Sequence, residues 1–389
     1  MNHIPYGRHD INQSDIDTVI EVLRSDFLTQ GPFVPFFEKA IVDYCGVEYA
    51  VAANSATSAL HIACLALGVN KGDIVWTSPN SFVASSNCAL YCGAILDFID
   101  IDPQTYNLSI ECLEEKLFLA KKNSMLPKVV IPVHLSGQSC DMESIYKLGQ
   151  KYGFKIIEDA SHAIGAKYRD EPVGNCHYSD ITIFSFHPVK IITTAEGGMA
   201  VTNDASLNKS MRLFRSHGIT SNKEDMEIRP KQEIWNYQQI KLGFNYRMND
   251  IQAALGLSQM KRLSHFVRER NLIAKRYNKL LLNLPLITPW QNKDSYSSYH
   301  LYIIRLKLNQ IKKTQQDIYH SLHKAGILVN LHYIPIYLQP YYAKMGFTRG
   351  LCPEAERFYS EAISIPMYPG LTNDQQDHIV NILFKIINE

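Results

Sequence analysis

Lys190 is the residue of this chain best placed for covalent chemistry. It follows the apolar run 181–184, so it lies on a loop after a predicted strand, and that loop turns back at Gly197 and Gly198. Burial lowers the pKa of an amine, and a neutral amine can attack a carbonyl. Most lysines are solvated surface charges, so Lys190 needs support from the rest of the chain.

Asp159 supplies the second group, because it ends another predicted strand, 155–160. Asp159 and Lys190 fit pyridoxal phosphate, whose aldehyde takes a lysine and whose ring nitrogen stays protonated beside an aspartate. Protonation makes the ring an electron sink for the carbanion formed at the amino carbon. An ion pair, or two unrelated residues, would explain the same two side chains.

Two strand-to-helix junctions could hold the remainder of such a ligand. Small hydroxylated residues at 55–58 follow the predicted strand 49–53 and open a helix that runs to about residue 67. Free N–H groups and the positive end of the helix dipole favour a phosphate there, although Ser55 and Thr57 would also suit ordinary N-caps. Phe82 lies at the second junction, where it could cap a planar ring or belong to the core.

The elements that must position these residues alternate along the chain. Alternation favours an α/β fold with a mainly parallel sheet, helices on both faces, and ligands at the carboxyl ends of the strands. No GxGxxG follows the first strand and no Walker A motif occurs, which argues against dinucleotide and P-loop sites. Further strands are predicted at 74–77, 94–100 and 129–134, and further helices at 14–25, 34–44, 80–91, 109–121 and 142–152.

Composition excludes several other classes of function. The 389 residues carry a net charge of +1, which calls for neither nucleic acid nor an anionic membrane. No signal peptide and no apolar run of about 20 residues are present, so we expect a soluble, cytoplasmic protein. The eight cysteines are scattered without metal-ligand spacing, and we expect no metal site.

Five segments taken together resemble the DegT/DnrJ/EryC1/StrS family of nucleotide-sugar aminotransferases: 54–59, 158–163, 185–190, 196–198 and 243–250. The resemblance runs from about Tyr6 to the C-terminus. It implies the fold type I architecture of pyridoxal-phosphate-dependent aminotransferases. It also implies a large cofactor-binding domain with an N-terminal substrate segment (1–248), a long connecting helix (249–284) and a small C-terminal α/β domain (285–389).

The resemblance also implies a role for individual residues. Lys190 would bind the cofactor aldehyde covalently, Asp159 would hold the pyridinium nitrogen, and His162 would lie near the phenolic oxygen. Phe82 would stack on the ring. The phosphate would be held by Ser55, Ala56, Thr57 and Ser185, together with Asn245 of the partner subunit of a homodimer. Contacts to the nucleotide sugar would come from Tyr6, Asp26, Phe27, Leu28, Thr29, His187, His332, Tyr333, Ile334 and Pro335.

Within the family, residues 187–190, 26–32 and 98–103 are most similar to the pseudaminic acid branch. Those members aminate carbon 4 of a UDP-linked 4-keto-6-deoxy-N-acetylhexosamine, with glutamate as the expected donor and pyridoxamine phosphate as the intermediate cofactor form. Another UDP- or dTDP-linked 3-keto or 4-keto sugar remains an alternative substrate. A dehydratase is disfavoured because family dehydratases have histidine at the position of Lys190. A non-catalytic binding protein is the third alternative.

Some features depart from the family pattern or stay unassigned. Ala195 stands where many relatives have glycine, and Met199 where a small residue is common. No arginine, Arg247 included, is singled out by spacing to bind the donor carboxylate. The polar segment 220–239, with Arg229-Pro230-Lys231, is predicted to form a mobile loop near the dimer interface.

Overall fold

Strands and helices alternate through the first half of the chain, as the sequence predicts. The computed structural model describes residues 3–228, 233 and 235–389, so residues 229–231 of the predicted loop lie outside the described residues. The strands are β1 (Ile4–Pro5), β2 (Tyr49–Ala53), β3 (Ile74–Thr77), β4 (Ile95–Phe98), β5 (Val129–Ile131), β6 (Lys155–Asp159), β7 (Lys167–Tyr168), β8 (Glu171–Pro172), β9 (Ile181–Ser185), β10 (Gly198–Thr202), β11 (Ile219–Thr220), β12 (Gln238–Gln239), β13 (Leu286–Ile287), β14 (Ser295–Tyr296), β15 (Tyr302–Leu306), β16 (Ile327–Leu328) and β17 (Ala362–Ile365). The helices are α1 (Gln13–Leu23), α2 (Phe33–Cys45), α3 (Ala56–Ala66), α4 (Ala84–Tyr91), α5 (Ile110–Lys122), α6 (Met142–Tyr152), α7 (Ala205–Arg215), α8 (Asp250–Met260), α9 (Leu263–Leu280), α10 (Gln315–Lys324), α11 (Pro340–Ala343), α12 (Pro353–Glu361) and α13 (Asn373–Asn388).

The central sheet has the strand order β2-β10-β9-β6-β5-β3-β4. Neighbouring strands run parallel, except that β10 is antiparallel to both β2 and β9. Every residue of β9 is buried, as expected for a strand covered on both faces. The predicted α/β class with a mainly parallel sheet is confirmed.

Helices cover both faces because successive strand residues point to opposite sides. Val51 and Ala53 of β2 belong to the core under α3, whereas Ala50 and Ala52 pack toward α2. A separate apolar cluster joins β3, β5 and β6 to α5 and α6. The carboxyl ends of the parallel strands are left at one open edge, where the loops after them meet.

The predicted continuous helix over 249–284 is wrong, because α8 and α9 are separate helices that break at Lys261 and Arg262. Arg262 leaves the helical conformation, with φ −108° and ψ 0°. Its guanidinium binds Asp10 and the fully buried carboxylate of Asp15. These ion pairs tie the break to the start of α1, and local helix propensity does not reveal such a tertiary contact.

The second lobe is built around the antiparallel sheet β13-β15-β17, with α10 and α13 packed in the same core. Helix α9 belongs to both lobes, since Phe266 packs in the large-lobe core and Tyr277 in the small-lobe core. Strand β1 pairs parallel with β16, so the N-terminal segment assigned above to the large domain lies on the small lobe. The boundaries at 248 and 284 stay predictions.

No helix among the described residues is both long and apolar enough to cross a membrane.

Candidate active site

A cavity of about 670 Å³ lies at the open edge of the central sheet, between the two lobes. Residues after β2, β3, β6 and β9 line one side of it, and residues after β16, with Tyr6 and His300, line the other. Ligands of open α/β sheets bind at this edge. The predicted site residues that line the cavity are Tyr6, Ser55, Ala56, Thr57, Phe82, Asp159, His162, Ser185, His187, Lys190, His332, Tyr333 and Ile334.

Lys190 reaches the cavity on the loop between β9 and β10. The loop is closed at its base, where the Phe186 amide donates to the Gly197 carbonyl at 3.0 Å. A Cβ on Gly198 would lie 2.4 Å from the Ala56 nitrogen, so only glycine lets this loop approach helix α3 so closely. The Lys190 amine makes no hydrogen bond to any described residue. Burial lowers its pKa from the usual 10.5 to about 8, against the opposing effect of the Asp159 carboxylate.

Asp159 is buried at the end of β6, and both of its carboxylate oxygens are held. One accepts a hydrogen bond from the Ser85 hydroxyl at 2.6 Å, and the other accepts from the Ser161 amide at 3.1 Å. The Ser85 hydroxyl also lies 2.7 Å from that of Ser81. A carboxylate oxygen accepts more than one hydrogen bond, so Asp159 is fixed in orientation and can still receive a ring N–H.

The N-terminus of α3 faces the same cavity. Ser55 is the N-cap of α3, because its hydroxyl accepts a hydrogen bond from the Ser58 amide at 3.1 Å. For Ser55, this is the ordinary N-cap role that the sequence analysis gave as the alternative to phosphate binding. Ala56 and Thr57 occupy the first turn, where backbone N–H groups have no helical acceptor. The hydroxyls of Thr57 and Ser185 make no hydrogen bond within the described part of the chain. These donors can therefore receive a phosphate.

Phe82 is not a core residue, since 60% of its surface is exposed while it lines the cavity. It comes just before α4, on the loop that follows β3. An aromatic face held beside Lys190 and Asp159 suits stacking against a planar ring.

His162 and Tyr333 form a hydrogen-bond chain whose direction is fixed. The Ser136 amide donates to Nδ1 of His162 at 3.2 Å, so this nitrogen must carry a lone pair. Burial and the charge of Lys190 lower the pKa of His162 well below its ordinary value, so the ring stays neutral with its proton on Nε2. That proton is donated to the Tyr333 hydroxyl at 3.2 Å, which leaves the hydroxyl's own hydrogen for a ligand.

His332 and Tyr6 lie together beside this chain. Their ring centroids are 5.3 Å apart, and Nδ1 of His332 is 2.8 Å from the Ser364 hydroxyl. Burial lowers the pKa of His332 to about 3, so it carries no charge near pH 7. Ile334 lines the cavity, whereas Pro335 is buried and is not among the lining residues.

Two predicted groups lie away from the cavity of their own chain. The loop 26–29 is exposed throughout and contributes nothing to the lining. Asn245 is also exposed, and its backbone pairs with Ser216. Their roles toward sugar and phosphate stay predictions.

His300 is a buried, cavity-lining residue that sequence reasoning missed. It lines the cavity, and its ring centroid lies 4.3 Å from that of His162. The sequence offered one signal for His300 as a site residue, namely that it is a histidine within the otherwise hydrophobic run 299–304.

The cavity fits pyridoxal phosphate. Lys190 offers an amine for the aldehyde, and Asp159 offers an acceptor for the N–H of the ring. The first turn of α3 offers hydrogen-bond donors for the phosphate. Among the described residues, no group of three or more His, Cys, Asp or Glu side chains could hold a metal ion. Lys190 is the only lysine or arginine among the cavity-lining residues that the structure describes.

Comparison with known proteins found a family model and full-length relatives that match this chain. The model of the DegT/DnrJ/EryC1/StrS aminotransferase family matches residues 9–384. The UDP-4-amino-4,6-dideoxy-N-acetyl-beta-L-altrosamine transaminase of Campylobacter jejuni is 38% identical over 99% of this chain and 98% of its own length. The GDP-perosamine synthase of Caulobacter vibrioides is 33% identical, covering 97% of this chain and 96% of its own. A solved Helicobacter pylori aminotransferase involved in the biosynthesis of pseudoaminic acid superposes with a TM-score of 0.90 at 33% identity, over 100% of both chains.

Proposed function

This chain belongs to the DegT/DnrJ/EryC1/StrS aminotransferase family and uses pyridoxal phosphate, and from that premise we propose the reaction that it catalyses. It transfers the amino group of glutamate to carbon 4 of a UDP-linked 4-keto-6-deoxy-N-acetylhexosamine. The product is UDP-4-amino-4,6-dideoxy-N-acetyl-β-L-altrosamine, a precursor of pseudaminic acid for surface or flagellin glycans.

One observation carries the chemistry, namely Lys190 with a pKa of about 8 in the same cavity as Asp159. The identity of the sugar is supported by the relative from Campylobacter jejuni and by the solved structure from Helicobacter pylori. The relative from Caulobacter vibrioides, a GDP-perosamine synthase, favours a GDP-linked sugar as a second candidate substrate, at slightly lower identity.

The bound cofactor supplies an aldehyde that takes up the amino group and a ring that accepts the electron pair left at the amino carbon. Asp159 keeps that ring nitrogen protonated, because its fixed carboxylate accepts the N–H and carries the opposite charge. Ala56, Thr57 and Ser185 hold the phosphate by their amides and hydroxyls. Phe82 supports one face of the ring.

Lys190 moves the protons. With the cofactor bound, Nζ would take the proton from the α-carbon of glutamate in the first half of the reaction. In the second half of the reaction it delivers a proton to carbon 4 of the sugar. A base needs to lie within hydrogen-bond reach of both carbons, and a lysine at the cofactor has that reach. Because Lys190 acts from one face, it also sets the configuration of the new amine.

The neutral side of the cavity binds the sugar. The Tyr333 hydroxyl offers a hydrogen to a ligand oxygen, since His162 already donates to that hydroxyl. Tyr6 and His332 add an uncharged polar surface, and His187 lies exposed at the rim. We propose that the loop 26–29 also contacts the nucleotide sugar, although it does not line the cavity of its own chain.

We propose that the enzyme acts as a cytoplasmic homodimer in which Asn245 of the partner subunit reaches the phosphate. Asn245 is exposed and does not line the cavity of its own chain, which supports this assignment. Light scattering during gel filtration should give twice the 44.3 kDa chain mass. The variant Asn245→Ala should weaken cofactor binding without changing that mass. A monomer of full activity would contradict the proposal.

The product of the reaction decides between the candidate substrates. Purified protein is incubated with glutamate and a panel of UDP-, dTDP- and GDP-linked 3-keto and 4-keto sugars, and the amine configuration is read from NMR coupling constants. We expect turnover of the UDP-linked 4-keto-6-deoxy-N-acetylhexosamine to the β-L-altro amine. Preference for another sugar would overturn the substrate, and loss of a hydroxyl without amination would indicate a dehydratase. Binding without turnover of any sugar would indicate a non-catalytic protein.

A further inference from the structure

We propose that His300 is a substrate-binding residue that contacts an oxygen on the carbon next to the reacting carbon of each substrate. The inference rests on the proposed aminotransferase reaction. In glutamate that neighbouring carbon is the carbon of the α-carboxylate, and in a 4-keto sugar it is carbon 3, which carries a hydroxyl. One imidazole can therefore serve both half-reactions.

The imidazole of His300 is buried without a hydrogen-bond partner. Only 3% of the residue is exposed, and Nδ1 has no partner among the described residues. Neither nitrogen of the His300 ring forms a hydrogen bond with a described residue, and the ring lines the cavity. An unpaired buried polar group is destabilising, so native proteins seldom retain one unless a ligand or water satisfies it.

The neighbouring side chains do not hydrogen-bond to the imidazole. Both nitrogens of His162 are engaged, one by the Ser136 amide and the other by Tyr333. Nη1 of Arg270 donates to the backbone carbonyls of Tyr299, His300 and Met367 at 3.2, 3.1 and 3.0 Å, and its Nε has no partner among the described residues. The ring of His300 lines the cavity, so a ligand there can supply its partner.

The backbone around His300 is held rigidly, as a binding residue requires. The three carbonyl contacts of Arg270 fix residues 299 and 300 against Met367. A Cβ on Gly137 would lie 2.4 Å from the Ser298 hydroxyl and 3.0 Å from the His162 carbonyl, so three segments meet there in close contact. A ring mounted on such a support loses little entropy when a ligand binds.

The charges around His300 determine what it can bind. Burial, His162, Lys190 and Arg270 all lower its pKa well below the ordinary value, so the ring is neutral. A neutral imidazole has one N–H donor and one acceptor, so it can donate to a carboxylate or pair with a hydroxyl. His300 and Lys190 line the same cavity, so a substrate held at Lys190 lies in the space that the imidazole faces.

The test separates direct contact from a structural role. Protein labelled with ¹⁵N-histidine is titrated with glutarate, which has the donor's carboxylates but no amine, and separately with UDP-N-acetylglucosamine, which has the sugar's hydroxyls but no ketone. The His300 resonances are assigned by their loss in His300→Gln. We expect a ligand-dependent shift of the His300 nitrogens with at least one probe.

Kinetics of the two half-reactions then assign the substrate. His300→Leu and His300→Gln are compared with the exposed control His320→Gln, following the cofactor absorbance with glutamate alone and then with the keto sugar. Loss of the hydrogen bond should raise the apparent dissociation constant of the contacted substrate about tenfold in His300→Leu. His300→Gln should recover part of that loss, and the control should match the parent.

Absence of any shift in the parent overturns the proposal, even if a variant fails to fold. Unchanged constants in both half-reactions overturn it as well. If the parent itself is not converted by glutamate, the proposed reaction has failed, and the titration of the labelled parent still decides the role of His300.

Discussion

The two sides of the active-site cavity are built in different ways. The cofactor side carries the charged pair Lys190 and Asp159 on loops and strand ends of one parallel sheet. The substrate side presents neutral histidines and tyrosines, with Tyr6 from the N-terminus, His300 just before β15, and His332 and Tyr333 after β16. Charge is thus concentrated on the cofactor side, and the opposite side offers uncharged donors and acceptors.

The difference shows how one fold can hold the chemistry constant while its substrate changes. The parallel strands bring Lys190 and Asp159 to the same edge through their pairing, because β6 and β9 are adjacent. The substrate side depends on contacts between segments far apart in sequence, such as the bond from the Tyr333 amide to Asn80 at 3.1 Å. Substitutions on that side can alter sugar choice without moving the reacting groups.

The largest expected effect comes from removing the reactive amine on the cofactor side. Lys190→Ala should reduce kcat by about 10⁴-fold or more, because both the covalent anchor and the proton-moving base are lost. Steady-state assay with glutamate and the keto sugar measures this, with the exposed Lys147→Ala as control. A Lys190→Ala enzyme as active as the parent would remove Lys190 from the mechanism.

Next in size is the loss of the carboxylate that faces the ring nitrogen. Asp159→Asn should lower kcat about 100- to 1,000-fold, since an amide cannot balance a protonated ring. The absorption spectrum of the bound cofactor should change as well, which separates this effect from misfolding. Asp159→Glu keeps the negative charge, so its kcat should fall less than that of Asp159→Asn. Equal kcat values for the parent, Asp159→Asn and Asp159→Glu would contradict the assignment.

A pH profile compares the two sides in a single experiment. Lys190 is neutral above a pKa of about 8, so the rate at which cofactor-free protein captures pyridoxal phosphate should rise as the pH passes through 8. His332, with a pKa of about 3, stays neutral from pH 5 to 9 and should add no inflection. Capture that rises only near 10.5 would mean that Lys190 is solvated.

A smaller effect is expected on the substrate side. Tyr333→Phe removes the hydroxyl that His162 turns toward the ligand, so kcat/KM for the keto sugar should fall about tenfold. The half-reaction with glutamate should change less. The exposed Tyr341→Phe serves as control, and an equal loss in both half-reactions would show that the hydroxyl does not discriminate between the substrates.

The smallest effect concerns the loop that carries Lys190. Ala195 has φ +64°, a left-handed conformation that is unfavourable for residues with a side chain and that glycine adopts at little cost. Ala195→Gly should raise the free energy of unfolding by about 0.5 kcal/mol, because relief of strain exceeds the added chain entropy. Urea denaturation measures the change, and a destabilised variant would contradict this reading of the loop.

Much of the cofactor side could be predicted because its signals are local. A strand followed by a polar turn identified Ser55, Asp159 and Lys190, and the parallel sheet brought them together. The break between α8 and α9 escaped prediction because Arg262 is held by Asp10 and Asp15, more than 240 residues away. His300 was not predicted as a site residue, because its proposed role depends on which neighbouring side chains already have hydrogen-bond partners in the folded chain.

The anchoring of the cofactor by Lys190 is the claim on which the other assignments depend. Reducing the purified holoenzyme with borohydride and mapping its peptides by mass spectrometry tests it most directly. We predict that the pyridoxyl group is found on the peptide containing Lys190 and on no other. A label on a different lysine, or no covalent label in a protein that retains its cofactor and turnover, would contradict the account.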